Sequence, residues 1–250
     1  MEERNRTLSA RSAVLSALLG SHPPRLPARD LVRIGALFGI AEGTVRVALS
    51  RMVAAGDLVQ SGGMYALSQR LVERQARQDE SRDPHVKPWD GTWEVVVVTA
   101  ERRAPADRAA FRHTMTALRL AELREGTWMR PANLVRVWPE IVTAQCTLID
   151  GRPHDDPTPL LWDLNGWAAE AVRLERALDR VLETGLGGAR ETGGLAEGFL
   201  VSAAVLRHLL ADPLLPGELL PDGWPGARLR ERYDDFDRRY REVLQEHLRS

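Results

Sequence analysis

Apolar residues recur at helical spacing in three consecutive blocks near the start of the chain. From Ser9 to Leu19, residues Ala13, Val14, Ala17 and Leu18 share one face, and Ser9 is placed to cap the helix. His22-Pro23-Pro24 ends that block. A second helix is predicted from Ala28 to about Phe38, stopping at Gly39, and a third from near Glu42 to about Ala55, stopping at Gly56. Three or four residues between two helices, with a glycine in the turn, is helix-turn-helix spacing. Leu58-Val59-Gln60 and Met64-Tyr65-Ala66-Leu67 then flank Gly62-Gly63, a pattern that predicts a hairpin, or wing.

The pattern changes further along. Ser68 to Ser81 is polar and arginine-rich and reads as a linking helix, which Pro84 and Pro88 end. Trp93-Glu94-Val95-Val96-Val97-Val98-Thr99 is a β-branched run, the clearest buried strand in the chain. A helix is predicted from Pro105 to about Leu123, with Phe111, Met115, Leu118 and Leu120 in register. Gly126-Thr127-Trp128-Met129 and Val142 to Ile149 read as further strands, while Leu134-Val135-Arg136-Val137 fits helix or strand. The β-α-β-β order with a closing strand predicts a ferredoxin-like α+β sandwich. The remainder reads as helical: Leu160 to Leu182, Leu195 to Leu210, and a last helix carrying Leu229, Tyr233, Phe236, Tyr240, Val243, Leu244 and Leu248. That last spacing is a seam, for the core or for a partner helix. The predicted fold class is α+β and multidomain. Residues 1–70 form a winged helix-turn-helix, 71–88 a linker helix, 89–158 the ferredoxin-like middle domain and 159–250 a helical C-terminal domain.

The third predicted helix sorts its residues by face. Val45, Ala48, Leu49 and Met52 form the inward stripe, and Gly43, Val47, Ser50 and Ala54 an opposite face of small or short side chains. Such a face can enter a DNA major groove about 12 Å wide. Arg46 and Arg51 flank it, and Thr44 lies near its amino end. A guanidinium fork can bind a guanine edge or a phosphate through two hydrogen bonds. Either arginine alone reads equally as a solvated helix residue; the small-residue face and the hairpin favour DNA. Thr44, Arg46, Val47, Ser50 and Arg51 are therefore the candidate reading set. Arg29 and the Gly62-Gly63 tip are candidates for phosphate or minor-groove contact.

Charge adds to this picture. Residues 1–78 hold eleven arginines against six acids, whereas the rest holds 23 basic and 29 acidic residues, within a net charge of −1. A basic head on an acidic body fits a DNA-binding domain attached to a module that stays off DNA. With 44% hydrophobic residues, nothing approaches the run of about 18 apolar residues that spans a membrane. Met1 to Arg6 has no signal-peptide pattern. A cytoplasmic protein without membrane association is expected. One cysteine, Cys146, excludes an internal disulfide or a cysteine zinc cluster and reads as a small core residue.

Enzyme chemistry finds little support. Gly185-Leu186-Gly187-Gly188-Ala189-Arg190 has an arginine where a dinucleotide fingerprint needs its third glycine, and it follows no strand. His154-Asp155-Asp156, between two prolines, reads as an exposed turn. Asp234, Asp235 and Asp237 are flanked by arginines at helical spacing and read as a salt-bridged face. No catalytic residue, metal or cofactor is expected.

Three stretches together resemble a known family, the PaaX-type repressors of phenylacetate degradation. They are Thr44 to Met52 within the winged helix, the block Trp89-Asp90-Gly91-Thr92-Trp93 through Gly126-Thr127-Trp128-Met129-Arg130-Pro131, and Asp212-Pro213-Leu214-Leu215-Pro216 through Trp224-Pro225-Gly226. The recognition helix also resembles that of GntR-type repressors. The PaaX resemblance implies a homodimeric repressor on double-stranded operator DNA, released by a small-molecule effector, an acyl-CoA thioester such as phenylacetyl-CoA. It carries over no effector-pocket residues; Trp128, Arg130 and the Trp224 turn would suit an aromatic acyl group and a CoA phosphate, but buried tryptophan is the commoner explanation. The family's middle domain is similar to CRISPR adaptation nucleases, which place a metal-binding aspartate at the end of their first strand. Here that strand ends Val98-Thr99-Ala100, with no carboxylate before Glu101. A metal-dependent nuclease is the alternative reading, and a winged helix that binds only protein is a third.

Overall fold

The computed structural model describes residues 9–21, 23–100, 105–186 and 192–249. Glu101 and Gly187 to Arg190, named above, lie outside them. In chain order the elements are α1 (Ala10–Leu19), β1 (Arg25–Pro27), α2 (Ala28–Leu37), α3 (Glu42–Ala54), β2 (Leu58–Ser61), β3 (Met64–Leu67) and α4 (Gln69–Arg82). There follow β4 (Trp93–Val98), α5 (Pro105–Ala117), β5 (Ala121–Arg124), β6 (Thr127–Pro131), α6 (Glu140–Thr143) and β7 (Cys146–Gly151). The helices α7 (Thr158–Leu161), α8 (Leu164–Thr184), α9 (Thr192–Leu210) and α10 (Gly226–Arg249) complete the chain. They group into two compact units. One comprises Met1–Arg82, Ala171–Leu210 and Ala227–Ser250; the other comprises Asp83–Glu170 and Ala211–Gly226.

In the first unit, α1, α2 and α3 pack with a three-stranded antiparallel sheet of order β1-β3-β2, the arrangement of a winged helix. Ser9 caps α1, its Oγ accepting from the Ser12 N–H. Val14, Leu18, Leu31, Ile34, Val45, Leu49, Met52, Leu58 and Leu67 form the core, and Leu71 of α4 joins them. Farther along α4, the buried Gln75 donates to the Leu19 carbonyl at 2.5 Å and satisfies the end of α1. β1 has no counterpart in the periodicity. A three-residue strand ending in proline alternates too briefly to register, and its partner β3 lies some forty positions away (Arg25 pairs with Ala66). Proline is tolerated there because β1 is an edge.

One close approach sets the angle of this helix pair. A Cβ at Gly35 of α2 would overlap Val45 Cγ2 of α3. Only glycine lets the two backbones meet here. The same unit holds the seam of α10, with Leu229, Tyr233, Phe236 and Tyr240 all buried. Arg82, at the end of α4, pairs with Asp234 at 2.6 Å and Asp237 at 3.1 Å, and its guanidinium lies over the Tyr233 ring.

The second unit carries a four-stranded antiparallel sheet of order β5-β6-β4-β7. Strand, helix, two strands, helix, strand in that order is the ferredoxin-like arrangement, with the second helix, α6, reduced to one turn. Val96, Phe111, Met115, Leu120, Trp128 and Val142 form its core. Two boundaries differ from the sequence reading. Helix α5 stops at Ala117, not near Leu123, because Arg119 adopts a left-handed backbone (φ 63°). The Leu120 N–H then reaches back to the Met115 carbonyl at 3.0 Å, and the chain enters β5 at once. Val142 belongs to α6, and the last strand begins only at Cys146. Leu134 to Val137 forms neither helix nor strand; Leu134 makes an isolated bridge to Val86. The expected helix from Leu160 also divides. Asp163 accepts from the Gly166 N–H at 2.8 Å and starts α8 afresh after the short α7.

Arg130 is the hub of this unit. It is fully buried, and its guanidinium donates to the carbonyls of Pro131, Arg119, Pro213 and Leu214 and to Asn133 Oδ1. The segment after Leu210 is thereby fastened to β6. Burial, reinforced by nearby Arg136, pushes the Arg130 pKa down to about 9.

Two substitutions test these contacts. Gly35→Ala is expected to lower the unfolding free energy by about 1–3 kcal/mol, and adding Val45→Ala should recover part of the loss in a denaturant-melt double-mutant cycle. Arg130→Met, which strands several carbonyls, should cost about 3 kcal/mol in the same measurement.

Candidate nucleic-acid interface

The candidate surface is built on α3 and on the turns at either end of it. Gly39 (φ +68°) and Gly56 (φ +70°) both take the left-handed conformation that a helix terminus needs. The Ile40 N–H bonds back to the Gly35 carbonyl at 3.0 Å, so the turn into α3 is held by the residue that sets the helix crossing. α3 begins after Ala41 with no side-chain cap, and the Thr44 N–H bonds back to the Ala41 carbonyl at 3.0 Å. The dipole at this helix start favours a nearby anion.

Val45, Leu49 and Met52 are buried, and Ala48 is partly so. Thr44, Arg46, Val47, Ser50 and Arg51 are all exposed. Val47 is half-exposed. Arg46 is held by Glu42 one turn earlier, at 2.7 Å, and both side chains remain more than half exposed. Such a pair contributes about 0.3–0.5 kcal/mol and exchanges readily for a phosphate or a base edge.

The wing is tied to the same surface. Gly62 (φ +56°) and Gly63 (φ +77°) both adopt the mirror conformation of a tight hairpin turn. The Gly63 carbonyl accepts from the N–H of Ala28, the first residue of α2. This bond places the wing tip against the helix start that carries Arg29, whose exposed side chain lies 3.5 Å from Asp30. Arg29, Gly62 and Gly63 thus come together as one group, and the α3 residues form another.

Asp57 braces the arrangement from behind. Buried at the entry to β2, it accepts from Arg11 of α1 at 2.8 Å and Arg70 of α4 at 2.5 Å. Sequence reasoning passed over Asp57, and also Arg25 and Gln60, which stand exposed on β1 and β2. Arg25 was missed because its strand was missed. Gln60 was legible as an outward residue of the predicted hairpin.

Trp128, Arg130 and Trp224 are packed into the second unit. Arg130 is wholly enclosed and satisfied by carbonyls, so it has no donor left for a CoA phosphate. Trp128 is buried beneath the Arg112 guanidinium. Trp224 stacks on Trp167 with ring centroids 4.5 Å apart. His154 and Asp155 are almost fully exposed. Among the described residues no group of three or more His, Cys, Asp and Glu side chains is arranged to hold a metal ion, and no helix is long and apolar enough to cross a membrane.

The chain is thus a mixed α+β protein with two antiparallel sheets and a helical carboxyl-terminal region. The chain belongs to the PaaX family. Residues 8–71 match the PaaX-like protein model, residues 86–146 the PaaX protein central Cas2-like domain and residues 162–250 the PaaX-like protein C-terminal domain. The fold is also similar to that of an uncharacterized protein from Mycobacterium tuberculosis, 44% identical over 96% of this chain and 99% of that one, with a TM-score of 0.76. No curated protein matches.

Proposed function

We propose that this chain is a transcriptional repressor that binds double-stranded operator DNA through α3 and the wing and is released by a small-molecule effector, an acyl-CoA thioester. The observation that carries the reading is the division of α3. Its apolar stripe is consumed by the core, while Thr44, Arg46, Val47, Ser50 and Arg51 are left outward on a helix whose partner turns are fixed by glycines. In the proposed complex α3 lies in the major groove, with Arg46 and Arg51 at base edges or phosphates, and Arg29 with Gly62 and Gly63 meets the backbone beside it. The protein acts in the cytoplasm as a homodimer, matching a partly palindromic operator.

Family membership supports the effector. A cavity of about 230 Å³ between α5 and the β5–β6 turn is lined by Phe111 and Trp128, with Arg108 and Arg112 on one side and Glu122 and Glu125 on the other, Arg112 being paired with Glu122. A larger hollow of about 610 Å³ beside α7 has Asp156, Asp163 and Glu218 in its lining and no basic residue, which disfavours a polyphosphate there.

Titration of fluorescent operator duplex is expected to show Arg46→Ala and Arg51→Ala each weakening binding by about 1–3 kcal/mol, with a smaller dependence on salt for whichever contacts phosphate. Unchanged affinity in both removes α3 from the role. The same duplex kept with Mg²⁺ or Mn²⁺ should stay intact; cutting would favour a nuclease built on the Cas2-like domain.

For release, a panel of acyl-CoA thioesters is expected to include one that raises the melting temperature and lowers operator affinity. At about 100 times its Kd such a ligand adds about 2.7 kcal/mol to the folded state. A panel with no such member would remove CoA thioesters as the effector class.

A further inference from the structure

The hollow beside α7 has a chemistry that the acyl-CoA reading does not use. Its walls come from residues 156–165 and 218–221, all within the second unit. Asp156 and Pro157 open α7. The Asp156 Oδ1 accepts from the Thr158 N–H at 2.9 Å, and the Leu160 N–H reaches the Pro157 carbonyl at 3.0 Å. The helix lasts one turn, because Trp162 is extended (φ −139°, ψ 138°) and Asp163 starts the chain again as α8. The turn Gly217–Leu219 and the residues after it supply the remaining wall. The cavity measures about 610 Å³, within the range of about 300–1,000 Å³ found for small-molecule sites.

Two kinds of group line it. Leu161, Trp162, Leu164, Leu219 and Leu220 are half-buried and give it an apolar floor, and Leu160 at its edge is 80% exposed. Asp156, Asp163 and Glu218 are exposed on its rim, and no basic side chain joins them. One oxygen of each aspartate is taken by a backbone N–H, yet among the described residues none of the three carboxylates has an ion-pair partner. Elsewhere in the chain arginines answer such groups, as at Asp57, Asp234 and Glu175. Thr158 is 3% exposed and belongs to the wall, and its Oγ1 has no hydrogen-bond partner, an uncommon state for a buried hydroxyl.

We propose that this hollow binds an organic cation, an amine or quaternary ammonium group carried on an aryl or alkyl body. A bare metal ion does not fit, since among the described residues no three carboxylates are grouped to hold one. An anion is repelled by the rim, and a neutral apolar ligand leaves its charge unanswered. A cation with an apolar body meets both demands. The body displaces water from the leucines, and the charge settles among carboxylates that nothing else neutralises. Trp162 adds an aromatic ring, a frequent partner of ammonium groups. Such a ligand is opposite in charge to the acyl-CoA proposed above, so the two sites stand or fall separately.

The test titrates full-length protein calorimetrically with tryptamine and benzyltrimethylammonium. Tryptophol and indole-3-acetate serve as the neutral and anionic counterparts of tryptamine. Saturable binding of a cation is expected, with tryptophol about 10-fold weaker than tryptamine and indole-3-acetate silent. Asp156→Asn, Asp163→Asn and Glu218→Gln in one protein keep the shape and the two backbone hydrogen bonds while removing the charge. This triple variant should bind the cation about 100-fold more weakly, with an unchanged circular dichroism spectrum and melting temperature. Glu218→Gln alone, at a side chain that makes no bond within the chain, should weaken it about 5-fold. Failure of both cations to bind, equal affinity for the three indoles, or binding indifferent to the charge-removing variants overturns the site. No DNA enters the titration, so failure of the operator reading leaves the result untouched.

Discussion

The contact on which the candidate interface depends is the meeting of Gly35 with Val45. Two helices can present a reading surface only if their crossing is fixed, and here it is fixed by the absence of one methyl group. Val45 is stiff at its branched carbon and fully buried, so it cannot move aside. The Gly35 carbonyl also accepts the Ile40 N–H, so the same residue governs both the crossing and the turn. The outward side chains of α3 then follow without further choice: once Val45, Leu49 and Met52 face inward, Thr44, Val47, Ser50 and Arg51 face away. The glycine that orders this surface is remote from it, and its substitution would be read as a loss of binding unless folding were measured too.

The first seventy residues were the legible part of the chain, and for a physical reason. Their boundaries fall on glycines that take positive φ, at Gly39, Gly56, Gly62 and Gly63, and glycine is the residue that sequence reading associates with that conformation. Where the same conformation falls on another residue the signal vanishes. Arg119 ends α5 in the left-handed region, and nothing in its identity announces a stop. The helix was consequently extended through what is β5. The start of β7 was displaced for a related cause: Val142 continues the apolar run of the strand, but Pro139 and Glu140 open a single helical turn that takes it into the core first. β1 was invisible because its identity as a strand lies wholly in its pairing with β3.

The candidate site itself was read more fully than its supports. Each outward residue of α3, and Arg29 with the wing glycines, stands exposed where helical and hairpin periodicity put it. Asp57 was not read, because a carboxylate between an alanine-glycine turn and a strand looks like any solvated loop residue. Its burial comes from Arg11 and Arg70, 46 and 13 positions away. Arg130 shows the reverse case. Its type suited a phosphate ligand as one of two readings, and the structure dissolves it in main-chain carbonyls. No local pattern separates an arginine that awaits an anion from one whose five donors are already taken, since the carbonyls of Pro213 and Leu214 come from more than 80 positions on.

The first half of the α10 seam is used by the chain's own core. Repeats of four and three over so long a helix suit a coiled coil between copies as well as a core. Leu229, Tyr233, Phe236 and Tyr240 are buried within the one chain, and a Cβ on Gly198 of α9 would stand 3.3 Å from both Phe236 and Tyr240. Leu229 to Tyr240 of the seam are thus spent on the chain's own core, while Val243 and Leu244 farther along are only partly buried. Arg82 reinforces the point: it joins α4 to Asp234 and Asp237 on the flank of that helix, so the linking helix and the final helix are held together by charge as well as by packing.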